Sequence, residues 1–308
     1  MSTAQPIQPP SDVSSDFALK VRRYFEDLQE HICASLEAVD AQKKFGVDQW
    51  KREEGGGGIT RVLEDGEVFE KAGVATSTVF GTMPQSVARK MNVEAAGFFA
   101  TGISLIIHPR SPMIPTVHMN YRYFERSDGD AWFGGGSDLT PCYLFDEDAR
   151  HFHATLKAAC AASPAGDYAR FKKWCDEYFF LKHRGESRGI GGIFFDYLRD
   201  EPESHFSLVK SCGDSFQESY LPIVRRRMNE SYTEIERRWQ LLRRGRYVEF
   251  NLVYDRGTAF GLETGGRIES ILMSLPPRVA WEYNVQPAPG TRESRLIEIL
   301  KNPQQWVE

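Results

Sequence analysis

Hydrophobic and polar positions alternate with a period of two through residues 100–141. Along residues 117–124, His118, Asn120 and Arg122 fall on one side, while Val117, Met119, Tyr121 and Tyr123 fall on the other. Such alternation marks a half-buried strand. In residues 103–108, Ser104 and His108 share a face opposite Ile103, Leu105 and Ile107. A third run, residues 132–139, carries Gly134, Gly135 and Gly136 and then Asp138. Pro109, Pro112 and Pro115 exclude a helix between the first two runs, because proline removes a donor and fixes the backbone. Three strands are therefore predicted. A core face has no use for an aligned histidine, asparagine, arginine and serine, so that face is read as the lining of a polar cleft.

Around this centre the pattern changes to a helical period. Ser14 or Ser15 can cap a helix running to about residue 40, with Phe17, Val21, Tyr24, Phe25, Leu28, Ile32 and Leu36 as its apolar stripe. His31 lies beside that stripe and is read as structural. Gly55–Gly58 precede a strand, a turn at Glu64-Asp65-Gly66 and a second strand, and read as a flexible turn or a close backbone approach. They are not a phosphate loop, because no Gly-Lys-Ser/Thr follows. Residues 73–81 are a further strand candidate. Asp146 is placed as the cap of a helix carrying His151 and His153, and residues 167–180 as an aromatic helix. The loop 181–192 sets one histidine, two arginines and one lysine among glycines, and residues 185–192 within it are the expected lid. A strand follows at 193–197. Residues 204–241 read as helix broken near Pro222, and 246–254 as a strand with Glu249 and Asn251 on one face. Residues 255–258 turn the chain, 268–275 form an apolar run ended by Pro276-Pro277, and 293–300 form a closing helix. Strands in hairpin-like succession, flanked by grouped helices, give an α+β class with an antiparallel sheet.

Composition narrows the setting. No linker divides the 308 residues, so one domain over 15–308 is expected behind a loose Pro/Ser tail at 1–14. A net charge of −5 gives no reason to expect nucleic-acid binding. Five cysteines, an odd number without a CxxC pair, argue against a disulfide framework or a structural zinc site and fit a reducing compartment. The first residues show no secretory or organellar pattern and no run reaches ~18 apolar residues, so a cytoplasmic location without a transmembrane segment is expected.

The candidate chemistry lies on the polar face. Arg122 can grip a carboxylate through paired hydrogen bonds. The glycines before Asp138 let a flat ligand or another backbone come close. Asp138 itself can accept N–H groups, take a proton, or merely cap a turn. His108, His118, His153 and His183 lack the spacing of a metal motif, and one or two of them fit acid or hydrogen-bond roles better. There is no GxGxxG, no GxSxG and no recognisable Cys–His pairing.

Long stretches of the chain carry a resemblance. GGGGITRVLEDGEVFEKAGV, IHPRSPMIPTVHMNYRYFE, WFGGGSDLTP, FKKWCDEYFFLKHRGESRGIGGIFFD and GRYVEFNLVYDRGTAFGLETGGRIESILMSLPP resemble, in order, the oxygen-dependent coproporphyrinogen III oxidases of haem biosynthesis. The resemblance implies a large flat antiparallel sheet covered on both faces by helices, and a homodimer with residues 247–282 at its interface. It implies conversion of the ring A and B propionates of coproporphyrinogen III to vinyl groups, giving protoporphyrinogen IX, with O2 as co-substrate and CO2 and H2O2 released. No organic cofactor is implied. A divalent metal is attributed to some members on histidines matching His108, His118, His153 and His183. His118 matches the family's proton donor, and Asp138 the aspartate that holds the pyrrole N–H groups. Ser104, Asn120, Tyr121, Arg122, Gly265, Gly266 and Arg267 match substrate positions. On this reading Arg122 and Arg267, helped by Arg188 or Arg256, hold propionates, and Asp138 orients or deprotonates a pyrrole. A metal-dependent oxygenase or hydrolase and a non-enzymatic tetrapyrrole carrier are the competing readings.

Overall fold

The computed structural model describes residues 14–83, 85, 88–89, 94, 96–263 and 266–308. Gly265 and residues 1–13 of the expected tail lie outside them. The centre is a seven-stranded sheet in the order β1-β2-β3-β4-β5-β6-β9. Its strands are β1 (Gly46–Lys51), β2 (Gly56–Glu64), β3 (Phe69–Thr82), β4 (Gly97–Pro109), β5 (Thr116–Arg126), β6 (Ala131–Thr140) and β9 (Gly192–Leu198). Every neighbouring pair is antiparallel. β7 (Phe180–Leu181) and β8 (Glu186–Ser187) form a separate small hairpin. The three central strands lie where the alternation puts them. Val117, Met119, Tyr121 and Tyr123 are buried, whereas His118, Asn120 and Arg122 are half-buried.

Helices cover both faces. The apolar face packs on α1 (Asp16–Asp40), α2 (Asp146–Ala161), α4 (Pro202–Asp214) and α5 (Phe216–Arg227). Ser15 caps α1 by accepting from the Ala18 amide, and Val21, Phe25, Leu28, Ile32 and Leu36 are buried against the sheet. His31 is exposed on this helix. α3 (Tyr168–Tyr178) runs past the β9 edge. Its Phe171 packs on Phe195 on the apolar side, and Tyr178 stacks on Phe194 on the other at 4.2 Å. The polar face is partly covered by α6 (Glu234–Val253), α7 (Arg256–Glu263) and α8 (Ile268–Leu272), and α9 (Arg292–Lys301) follows. Ser270 of α8 meets Thr60 of β2, and Phe250 of α6 meets Phe179. Among the described residues no helix is long and apolar enough to cross a membrane. All five cysteines are buried and unpaired.

Several expectations are corrected. Residues 246–254 are not a strand but the last turns of α6 and its C-cap, Tyr254. That helix starts at a capping box, Thr233 with Glu236, and buries Trp239, Leu242, Arg243, Tyr247, Phe250 and Asn251 at helical spacing. Gly56–Gly58 belong to β2 rather than to a flexible turn. Gly56 takes φ +93°, a conformation that glycine adopts at no steric cost. Residues 73–81 continue β3. Phe145, not Asp146, holds the N-cap position of α2, and Asp146, Glu147 and Asp148 occupy its first turn, where their charge suits the helix dipole. Pro222 does not break the chain. It sits inside α5, and the Glu218 carbonyl four residues earlier accepts from His151 Nε2 at 2.8 Å instead. Residues 186–192, all of the expected lid but Gly185, are buried, with β8 at their start.

Candidate active site

The polar face is built rung by rung. His118 on β5 stands directly opposite Asp138 on β6, and His118 Nδ1 lies 2.8 Å from Asp138 Oδ1. The other carboxylate oxygen accepts from Arg188 Nη2 at 2.7 Å. The Asp138 and Arg188 side chains are each 2% exposed. Three rings surround the guanidinium: Phe179 at 4.1 Å, Tyr247 at 4.5 Å and Phe250 at 4.9 Å. Its Nη1 donates to Asn251 Oδ1 at 3.0 Å. Burial alone would raise the Asp138 pKa. The charge of Arg188 and the hydrogen bonds from His118 and Arg188 outweigh it and hold the carboxyl below its ordinary value. An ionised carboxylate only accepts, so Nδ1 of His118 carries the proton. Its Nε2 has no hydrogen-bond partner among the described residues, and the side chain is 23% exposed.

One rung along, Asn120 pairs across to Ser104 on one side and to Gly136 on the other. The next rung sets Arg122 between Gly102 and Gly134. The result is a floor of small residues with Arg122 rising from it, 39% exposed. Arg122 donates to Asn120 Oδ1 at 3.1 Å and pairs with Asp196 of β9 at 2.8 Å. Arg256 at the start of α7 reaches the other oxygen of Asp196 at 3.7 Å. A Cβ at Gly134 would stand 2.5 Å from Asp196 Oδ1 and 2.8 Å from Arg122 Nη2. The room expected there for a flat ligand is thus filled by an ion pair of the protein itself.

The remaining sequence candidates separate. Ser104, His118, Asn120, Arg122 and Asp138 share the cleft face. The Tyr121 side chain does not, because odd positions of β5 point into the core. It is fully buried and stacks on Phe195 at 6.1 Å. Arg267 pairs with Asp48 on β1, four strands from β5 in the sheet order and so about 19 Å away at ordinary strand spacing. Gly266 lies beside it, its amide bonded to the Gly261 carbonyl.

The four histidines do not fit one metal ion. His108 is bonded through Nε2 to the Ser274 carbonyl and through Nδ1 to Thr116 Oγ1. His153 uses its two nitrogens on Tyr168 Oη and the Ile190 carbonyl, and His183 uses its own on Tyr254 Oη and Glu249. Among the described residues no group of three or more His, Cys, Asp or Glu is placed to hold a metal. Two contributors escaped the sequence reading. Asp196 was legible only from the outward position of Phe194 and Asp196 on β9, and Asn251 was hidden by reading its helix as a strand.

This face thus combines a buried Asp–Arg pair, a half-buried histidine with one nitrogen unpartnered among the described residues, and a half-buried arginine above small residues. It can hold an N–H donor at one point and a carboxylate at another. A family model described as coproporphyrinogen III oxidase matches residues 20–306 and so takes in every element of this site, and the chain belongs to the coproporphyrinogen III oxidase family.

Proposed function

We propose that the protein catalyses the oxygen-dependent oxidative decarboxylation of coproporphyrinogen III to protoporphyrinogen IX. At rings A and B, R–CH2–CH2–COOH and O2 become R–CH=CH2, CO2 and H2O2, with O2 as the only oxidant and no organic cofactor. One observation carries the reading. Arg122 and the His118–Asp138 pair stand on one face of one strand pair, with Arg122 four residues from His118 along β5, a distance of about 13 Å. That separation suits a substrate whose carboxylates lie at its rim and whose N–H groups lie at its centre. Asp138 is suited to accept pyrrole N–H groups as a fixed anion, through the second lone pair each oxygen keeps beside its bond to His118 or Arg188. A carboxyl held below its ordinary range is a weak base, so proton handling falls to His118 Nε2 rather than to Asp138. Arg122 and Arg256 share Asp196, which leaves one positive charge for a propionate.

The homodimer also belongs to this reading. Leu252, Val253, Phe260, Leu262, Ile268 and Trp281 are large exposed apolar residues within the stretch expected at the interface, and such a concentration marks an association surface. Sedimentation should give a dimer that Phe260→Asp converts towards monomer. A wild-type monomer at micromolar concentration would overturn the assignment.

The decisive experiment incubates the purified protein with coproporphyrinogen III with and without O2 and follows CO2. Release in air and none under argon is expected. Equal release in both, or none in either, would overturn the oxygen-dependent reading.

A further inference from the structure

The pairing of β6 with β9 slips within two rungs. Phe133 faces Leu198, whereas Gly135 faces Phe195. Three steps of β9 (198 − 195) thus match two steps of β6 (135 − 133). Asp196 and Tyr197 together stand opposite Gly134, which is a β-bulge. Tyr197 has φ +52°, a backbone state that a bulky side chain adopts only at a cost. Its amide donates to Asp196 Oδ1 at 3.0 Å, tying the two residues into one unit.

The bulge leaves Asp196 at its outward position and turns Tyr197 to the same face. Asp196 goes to Arg122, as described. Tyr197 goes to Trp132, ring to ring at 5.5 Å. Trp132 stacks on Phe124 at 4.5 Å, and Phe124 on Phe98 at 5.7 Å. Phe124 is the next outward residue after Arg122 on β5, so this aromatic row borders the arginine on the cleft face. Arg199 lies over Trp132 at 4.7 Å and over Tyr197 at 5.0 Å, and is itself held by Asp130 at 2.9 Å. Trp132 is buried beneath these neighbours, yet Tyr197, at the end of the row, is 47% exposed. A strained residue that is braced from behind and left open in front is placed to receive something.

We propose that Tyr197 is a substrate-contact residue, its ring packing against the pyrrole whose propionate Arg122 holds. The bulge couples the two contacts, because the residue that fixes the arginine and the residue that meets the ring are adjacent in the chain. This rests on the reading of the cleft as a tetrapyrrole site.

The test compares Tyr197→Gly, Tyr197→Asn and Tyr197→Phe. Glycine and asparagine both tolerate positive φ, so relief of backbone strain offsets the lost contacts with Trp132 and Arg199, and both variants should melt near the wild-type temperature. Binding of coproporphyrin III, a stable aromatic relative of the substrate with the same four propionates, is followed by quenching of tryptophan fluorescence. Tyr197→Gly and Tyr197→Asn should each weaken it about ten-fold, with KM for coproporphyrinogen III rising in parallel, while Tyr197→Phe stays near wild type. Wild-type Kd in Tyr197→Gly overturns the contact. So does loss in Tyr197→Gly without loss in Tyr197→Asn, which would trace the effect to the backbone. A wild type that binds the porphyrin but releases no CO2 would overturn the proposed activity, while the contact is still decided by the variants' Kd values.

Discussion

Asp138 accepts one bond on each carboxylate oxygen, from a histidine and from a guanidinium, in a place that water scarcely reaches. Removing one member of such a pair strands the other. Arg188→Met is expected to cost about 3–5 kcal/mol in urea unfolding, and the double variant with Asp138→Asn to cost less than the sum. Asp138→Ala is expected to lower turnover by roughly 10²–10⁴-fold, with the protein still folded by circular dichroism. Gly134→Ala is a sharper probe of the arginine grip. The added methyl would wedge between Arg122 and Asp196, and KM should rise more than kcat falls. The alternation of β5 was enough to pick out His118, Asn120 and Arg122. It also contained the evidence against Tyr121, whose odd position sends it into the core. Tyr197 was not legible, because a bulge adds one residue after Asp196 and breaks the period of two on which such readings depend.

Among the elements, α6 decides how the cleft is walled. Its Phe250 closes the aromatic box around Arg188, and its Asn251 steadies the same guanidinium. Phe250→Ala should cost about 3–5 kcal/mol as a core truncation, and it should reduce activity even in molecules that remain folded. Thr233→Ala, at the far end of the same helix, should cost only about 1 kcal/mol through the lost cap and leave turnover unchanged. The sequence RYVEFNLVY alternates well enough to pass for a strand, since valine, tyrosine and phenylalanine favour sheets. What overrides that preference lies upstream, in a helix already capped at Thr233 and packed through Trp239 and Leu242. The strands of the central sheet were legible because each is bounded by its own turn signals. The α6 strand reading failed because Gly245, which looks like a boundary before Arg246, lies buried inside the helix.

At the scale of the whole molecule, two buried histidines tie stability to pH. Burial pushes His108 well below its ordinary value and His153 down to about 3. The unfolded chain binds these protons near pH 6.5 and the native state does not, so stability is full above that value and falls as pH drops towards 3. The slope is about 1.4 kcal/mol per pH unit for each histidine. Asp138, depressed below its unfolded value of roughly 3.9, adds its loss only in stronger acid. Urea midpoints at pH 7.5 and 5.5 should therefore differ, and His153→Gln should narrow the gap. An unchanged gap would refute the assignment to His153. The strand order also has a temporal meaning. β1 to β6 pair with their sequence neighbours and can assemble as the ribosome releases them. β9 ends at Leu198, 58 residues (198 − 140) after β6 ends at Thr140. At ~5–20 residues per second the outer edge of β6 waits roughly 3–12 s for its mate. During that interval the nascent sheet carries a bare hydrogen-bonding edge, open to a neighbouring chain. Slow codons between β6 and β9 should then lower soluble yield without touching the finished enzyme.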